Sequence, residues 1–509
     1  MTGDASSARV RSIRGIPFWP PAAVLAEVRR RRLVRDVAVL QASNALQRAL
    51  GFGFSVAIAR MLGVTGYGEY LLVLSLYATL NLVGNMGVGQ FLVVPLAQSV
   101  ATRDRQAIAR GAGYVLKFGV ALGLAVLALI LVVGEWAGDL VMHRPDLGAM
   151  TQLVAAGILP TVAYTTCVTA LQAGRRMPDL AAVEVFDLLA GRTFSVAFVL
   201  GGVAGGGVPA VLWGSVTGAT LSAVHAAWWY RRVAVAQDGF PGLLPLAREA
   251  VTVPWRAYFR FSAIASVDKN VAQLIGQTPM LFLGRFASPE AAAYFGIAGK
   301  VFTLLAALHG GVSRAVSVRL SQEMATGGVA PVRRLFWKAS LAWGAASAVA
   351  ALALLAALPV FRWVYGEEYL PSVALVAVLG VLQAKQGLTI ALGSIYLIAG
   401  RVAANALLKL PLLAIAYPLG STLVGAWGAT GAATYQLLLY VAGDVMYLGL
   451  ILTPWFWRGV GVPGRDAPFH WPQAPRAAAG EGSTTTAPPP GGRDCSRTNG
   501  KGEGPAHVG

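Results

Sequence analysis

GYVLKFGVALGLAVLALILVV, residues 113–133, runs for 21 residues with one charged side chain, Lys117. A helix rises about 1.5 Å per residue, so roughly 20 such residues cross the ~30 Å hydrocarbon core of a bilayer. A helix apolar on every side belongs inside a membrane or a large core, not on a water-facing surface. Working outward from this stretch, comparable runs predict twelve spans. The first six cover 37–59, 70–96, 113–133, 149–173, 181–200 and 209–230, and the second six 257–283, 291–313, 335–358, 372–397, 402–419 and 428–453. Composition agrees, with 56% hydrophobic residues, 13% charged and a mean hydropathy of +0.61. Soluble domains carry about 25% charged residues. Sixty glycines without a three-residue period exclude collagen. Cys167 and Cys495, the only cysteines, are too few for a disulfide framework or a thiolate site, so no metal and no cofactor are expected. The expected fold class is an all-α polytopic membrane protein.

The net charge of +18 raises the question of sidedness before that of nucleic acid, and no nucleic-acid partner is expected. Twenty-eight of the 41 basic residues fall in the two tails and the even-numbered loops. The odd-numbered loops hold Arg60, Arg144, Arg285 and Arg362 against seven acids, among them Glu69, Asp146 and Glu290. The excess of positive charge on the inner side therefore places both termini in the cytoplasm. Residues 1–36, basic and without an apolar core, read as a cytoplasmic tail rather than a cleaved signal peptide. Residues 454–509 read as a disordered cytoplasmic tail, rich in Pro, Gly and Thr beyond 462. Tryptophans at 136, 213, 228, 229, 363, 427 and 455 sit near span ends, where an indole buries its ring and keeps its N–H near water.

The segment 231–256, the longest between spans, divides residues 37–230 from 257–453, six spans from six. At an offset of 225, AIARMLGVTGYGEYLLVLS (57–75) lies over MLFLGRFASPEAAAYFGIAG (280–299), matching Arg60 with Arg285 and leaving one gap before the aromatic residue. In the first helix of each set a polar stripe follows helical spacing: Gln41, Asn44 and Arg48 in one, Ser266, Lys269, Gln273 and Gln277 in the other. Two pseudo-symmetric six-helix bundles around a central cavity lined by these stripes are the expected architecture.

Nine basic residues remain inside spans. Lys117, Arg260 and Lys338 lie within about a turn of the cytoplasmic face and can snorkel. Deeper cations cost roughly 2.5–3.5 kcal/mol each, so Arg48, Lys269, Lys300 and Lys385 require polar company. Glu184, Asp187, Asp268 and Asp444 are the candidate counter-charges or sites for a coupling ion. The loops use arginine and six of the seven lysines lie in spans, so a mid-membrane lysine is a selected donor. It suits a phosphate that must be gripped and released, and Arg48, Lys269, Lys300 and Lys385 are the expected diphosphate-binding residues. Cations outnumber buried acids, favouring an anionic cargo over a cationic drug. The longest outer loop, 134–148, carries Glu135, Asp139, His143 and Asp146 and reads as a solvated turn, too short for a sugar-processing domain. No Walker motif occurs, and His225 and His309 near cytoplasmic span ends read as local hydrogen-bonders. No catalytic residues are expected.

ARMLGVTGYGEYLLVLSLYATLNLVGNMGVGQ (59–90) resembles the first-loop signature of bacterial polysaccharide flippases, and VYGEEYLPSVALVAVLGVLQAKQG (364–387) resembles their tenth-helix region. This is the polysaccharide-transporter branch (O-antigen-type oligosaccharide flippases) of the multidrug/oligosaccharidyl-lipid/polysaccharide exporter superfamily. The resemblance implies an alternating-access flippase for an undecaprenyl-diphosphate-linked oligosaccharide in the bacterial cytoplasmic membrane. Membrane lipids, glycosyltransferases and a polysaccharide polymerase are its implied partners, and the expected state is a monomer. It also implies a cationic cavity holding the diphosphate, with Arg48 and Lys269 the best positional matches. Alternatives are a multidrug or cation antiporter of the same superfamily, the lipid II flippase, whose fourteen spans exceed the twelve counted here, and an integral-membrane polysaccharide polymerase.

Overall fold

Backbone amides find no water in hydrocarbon, so apolar runs satisfy them internally as helix. The computed structural model describes residues 32–82, 88–255, 259–327, 329–356, 358–399 and 401–458, and no strand occurs among them. In the first half, α1 spans Arg32–Leu80, α2 Val88–Ala101, α3 Arg105–Met142, α4 Pro145–Ala155, α5 Ile158–Ala173, α6 Met177–Leu200 and α7 Gly207–Trp229. A short helix, α8 (Leu243–Thr252), follows in the linker. The second half comprises α9 (Phe259–Phe286), α10 (Pro289–Gly327), α11 (Val329–Ala356), α12 (Leu358–Tyr365), α13 (Ser372–Leu388), α14 (Leu392–Ile398), α15 (Val402–Leu407) and α16 (Lys409–Leu452).

Six helices among the described residues are long and apolar enough to cross a membrane, and α4 with α5, bent by 44°, makes a seventh if taken as one span. The protein is a multi-pass membrane protein. Two of the six are interrupted: α1 leaves helical geometry at Gly63 (φ 67°, ψ 179°) and α16 at Gly428 (φ 52°, ψ −125°). Only glycine takes such angles without steric cost; Gly63 falls in the first odd-numbered loop read from the sequence and Gly428 at the start of the twelfth span, beside the last one. Inside α9, Pro279 offers no N–H to the carbonyl of Ile275, and the Thr278 hydroxyl donates to that carbonyl at 2.7 Å instead.

Two segments depart from expectation. The solvated turn read at 134–148 is almost wholly helical: α3 continues to Met142 and α4 begins at Pro145, leaving His143 and Arg144 between them. Gly134, Gly138 and Gly148 make this possible, because a Cβ on Gly148 would overlap the backbone of Gly134. Arg144 closes the hairpin with ion pairs to Glu69 and Asp146, both at 2.7 Å, and holds the Asp146 carboxyl below the usual range. The linker, read as a loop, begins with a widened helical turn (Tyr230–Val235) and then forms α8. Lys117, half-buried toward the even-loop end of α3 as expected, reaches the linker. Its ammonium donates to the carbonyls of Val251 (3.0 Å) and Val253 (2.7 Å) at the C-terminus of α8 and lies 5.0 Å from the centre of the Trp255 ring, where a cation meets the negative end of the helix dipole.

Buried apolar side chains divide unequally between the two ends of the molecule. At the odd-loop end one continuous core takes residues from both halves, including Ile58, Tyr67 and Leu147 with Leu283, Tyr369 and Tyr435. At the even-loop end each half has its own: Tyr114, Leu171 and Tyr230 belong to one core, Phe336, Tyr396 and Phe456 to another.

The contacts at the shared end repeat across the duplication. Arg60 donates to the Trp363 carbonyl at 2.6 Å, and its match Arg285 donates to the Leu140 carbonyl at 3.1 Å, so each half ties into the other's third-loop region. Thr65 donates to the Glu290 carboxylate at 2.5 Å, and a Cβ on Gly296 would overlap Leu71. Both contacts join residues 225 apart, the offset of the repeat itself. Equivalent residues can touch each other only beside a two-fold axis, so a pseudo-two-fold passes between the outer part of α1 and the start of α10. Hydrogen bonds from Thr65 and Ser288 hold the Glu290 carboxyl below its ordinary 4.5, so this tie persists at neutral pH and is lost as pH falls through that lowered value.

Candidate functional site

The polar stripe of α1 serves both halves. Gln41 and Asn44 are half-buried and Arg48 is exposed. Its guanidinium donates to the backbone carbonyl of Thr303 on α10 at 3.1 Å. One residue earlier, Gln47 donates to Ser43 at 3.0 Å and to the Glu184 carboxylate on α6 at 3.3 Å. Helix α10 places the half-buried Lys300 one turn before Thr303, whose hydroxyl donates to the Lys300 carbonyl at 2.7 Å.

Helix α6 presents Glu184 and Asp187 on one face and Arg192 a little over a turn further on. Arg192 donates to the Tyr70 hydroxyl at 2.9 Å, and both Asp187 and Lys300 lie within its electrostatic reach. Tyr164 of α5 neighbours both carboxylates. Small residues permit this approach, since a Cβ on Gly218 of α7 would collide with the backbone of Gly191. Helices α6 and α10 both pack on α1, so Lys300 has a cation from each side of it: Arg48 bonds one turn further along α10, and Arg192 of α6 lies within electrostatic reach, with Glu184 and Asp187 on the α6 side.

The other expected residues are placed differently. Lys385 on α13 pairs with Asp444 on α16, donates to the Tyr440 carbonyl at 3.2 Å and lies 5.2 Å from the centre of that ring, so its charge is met inside the second half. Lys269, Gln273 and Gln277 are half-buried on α9, and Lys269 is engaged in an interaction of its own. The side chains of Ser266, Asp268 and His309 lie outside the described residues, as do 1–31 and 459–509. His225 accepts from the Trp229 indole at 3.0 Å and stacks on Phe186, a local hydrogen bond as its position suggests. Sequence reasoning assigned no role to Arg192 or Gln47. Arg192 looked like the generic cation of an arginine-rich chain, although its mid-helix position was the available signal. Gln47 lies off the stripe's spacing and gave none.

A family model for polysaccharide biosynthesis proteins matches residues 33–319, more than half of the chain. The chain belongs to that family. The match contains the stretch 59–90 on which the resemblance was first read, whereas 364–387 lies beyond it. No curated protein matches this polysaccharide biosynthesis family member. Among solved structures it is similar to an inward-facing multidrug-resistance MATE family transporter of the MOP superfamily, with 14% identity, a TM-score of 0.60 and coverage of 81% of this chain and 96% of that one. The lipid II flippase MurJ in an inward closed conformation gives 12%, 0.60, 82% and 88%. The eukaryotic MATE transporter AtDTX14 gives 14%, 0.59, 84% and 97%. At these identities the likeness is one of fold, and the fold is that of transporters and flippases.

Proposed function

We propose that the protein flips a polyprenyl-diphosphate-linked oligosaccharide, a polysaccharide precursor, from the inner to the outer leaflet of a bacterial cytoplasmic membrane by alternating access. In this reading both termini are cytoplasmic and twelve spans form two six-helix bundles. The observation that carries it is the gathering of Arg48, Arg192 and Lys300 at the junction of the halves, with separate cores at the even-loop end and a shared one at the odd-loop end. A diphosphate entering from the even-loop side would displace the Thr303 carbonyl from Arg48, because charge-assisted bonds to phosphate are stronger than those to a neutral carbonyl. Lys300 and Lys269 would add compact, releasable donors, while the polyprenyl tail stays in lipid. Moving one charge through 100 mV is worth about 2.3 kcal/mol, so the membrane potential or an ion gradient can drive the cycle. Asp444 with Lys385, or Glu184 with Asp187, would supply the coupling site.

Replacing Lys300 by Gln should reduce surface-glycan export by about ten- to a hundredfold, the loss of one hydrogen bond to a charged group, while membrane insertion is retained. Export at the parental rate in that variant would remove Lys300 from the mechanism. A second reading, a cation or drug antiporter of the same superfamily, draws on Glu184 and Asp187 lying together beside Tyr164. Resistance conferred on a pump-deficient host, lost in Asp187→Asn and kept in Lys300→Gln, would favour it.

A further inference from the structure

Where α7 ends at the even-loop face, Val224, Ala227, Trp228, Arg231, Arg232 and Leu243 line a cavity of 780 Å³. Val224, Ala227, Trp228, Arg231 and Arg232 recur at i, i+3, i+4, i+7 and i+8, one face of a helix, so both arginines line the same cavity. The widened turn over Tyr230–Val235, a helix form frequent at functional sites, carries both of them. The Tyr230 hydroxyl donates to the Pro241 carbonyl at 2.6 Å, tying the following turn to the end of the helix, and Leu243 just beyond it also lines the cavity. The Arg232 guanidinium lies 5.2 Å from the centre of the Trp228 ring and 6.0 Å from that of Trp229. A guanidinium stacked on indole still has its in-plane N–H donors available.

Neither arginine is paired with a carboxylate among the described residues. The linker's two acids are engaged elsewhere: Asp238 holds Arg176 at 2.9 Å, and the Glu249 side chain packs against Gly113 of α3. The rim is apolar and open, with Val224 63%, Trp228 50% and Leu243 41% exposed. Two unpaired guanidinium groups, an indole platform and exposed aliphatic side chains at the end of a membrane helix match a phosphate that arrives with acyl chains attached.

We propose that this cavity binds the headgroup of an anionic phospholipid, with Arg231 and Arg232 on its phosphate and Val224 and Leu243 against its chains. The site lies outside the junction of α1, α6 and α10, so its test is independent of the cargo. The full chain is purified into nanodiscs of zwitterionic phosphatidylcholine, and retention of added phosphatidylglycerol is measured by native mass spectrometry. Each interfacial cation is worth about a fivefold change in occupancy equilibrium, so Arg231→Gln with Arg232→Gln should weaken retention by about thirtyfold. Arg333→Gln with Arg334→Gln, which removes the same charge from exposed positions on α11, should leave it within about twofold. Equal loss in both pairs, equal retention of phosphatidylcholine, or displacement of the lipid by millimolar inorganic phosphate would each overturn the proposal.

Discussion

Arg48 holds a carbonyl and Lys385 holds a carboxylate, and that difference separates their expected behaviour. The Thr303 carbonyl can be exchanged for a ligand without stranding a charge, whereas Asp444 without Lys385 would be left partly buried and uncompensated. Removing one partner of such a pair costs about 3–5 kcal/mol, and replacing both by apolar residues is often neutral. Lys385→Ala should therefore lower the thermal midpoint of the purified protein by several degrees, and adding Asp444→Leu should recover most of it. A Lys385→Ala protein with unaltered melting would mean that the pair is not structural. The stripes containing Arg48 and Lys269 were legible in the sequence because three- and four-residue spacing survives in any helix. The pairing of Lys385 with Asp444, and the meeting of Arg192 with Lys300, join residues 59 and 108 positions apart, and no local pattern encodes such contacts.

At the scale of elements, the position of apolar helix was readable from composition alone, whereas the ends of helices were not. The stretch 134–148 looked like a turn because it holds charge and glycine; its glycines serve helix-to-helix approach, which one segment cannot reveal about another. The alignment of Arg60 with Arg285, by contrast, was visible as a repeat before its purpose was. Each caps the end of its half's first span and reaches a backbone carbonyl across the junction. Replacing both by alanine removes two such ties while leaving the spans intact. In a Cys167→Ser, Cys495→Ser background carrying Leu71→Cys, that double variant should label faster with a membrane-impermeant thiol reagent added at the odd-loop face, by about a hundredfold or more, on the scale of two hydrogen bonds from a charged donor. Unchanged labelling would show that the shared core closes this end without the arginines.

For the whole molecule, the duplication places like beside like along one line, and the two sequences have diverged there in complementary directions. Leu71 is large and Gly296 has no side chain, and they occupy one another's equivalent positions. A pair of identical subunits could offer only two knobs or two sockets at that point. A single chain has one of each. Leu71→Gly should leave a hollow costing about 2–5 kcal/mol, Gly296→Leu should wedge the seam, and exchanging the two should recover stability in a melting experiment. An exchange that remains as unstable as the worse single variant would tie each residue to its own side. If the exchange succeeds, fusion of the halves gave the ancestral dimer something symmetry forbids: a lock and a key at the same address.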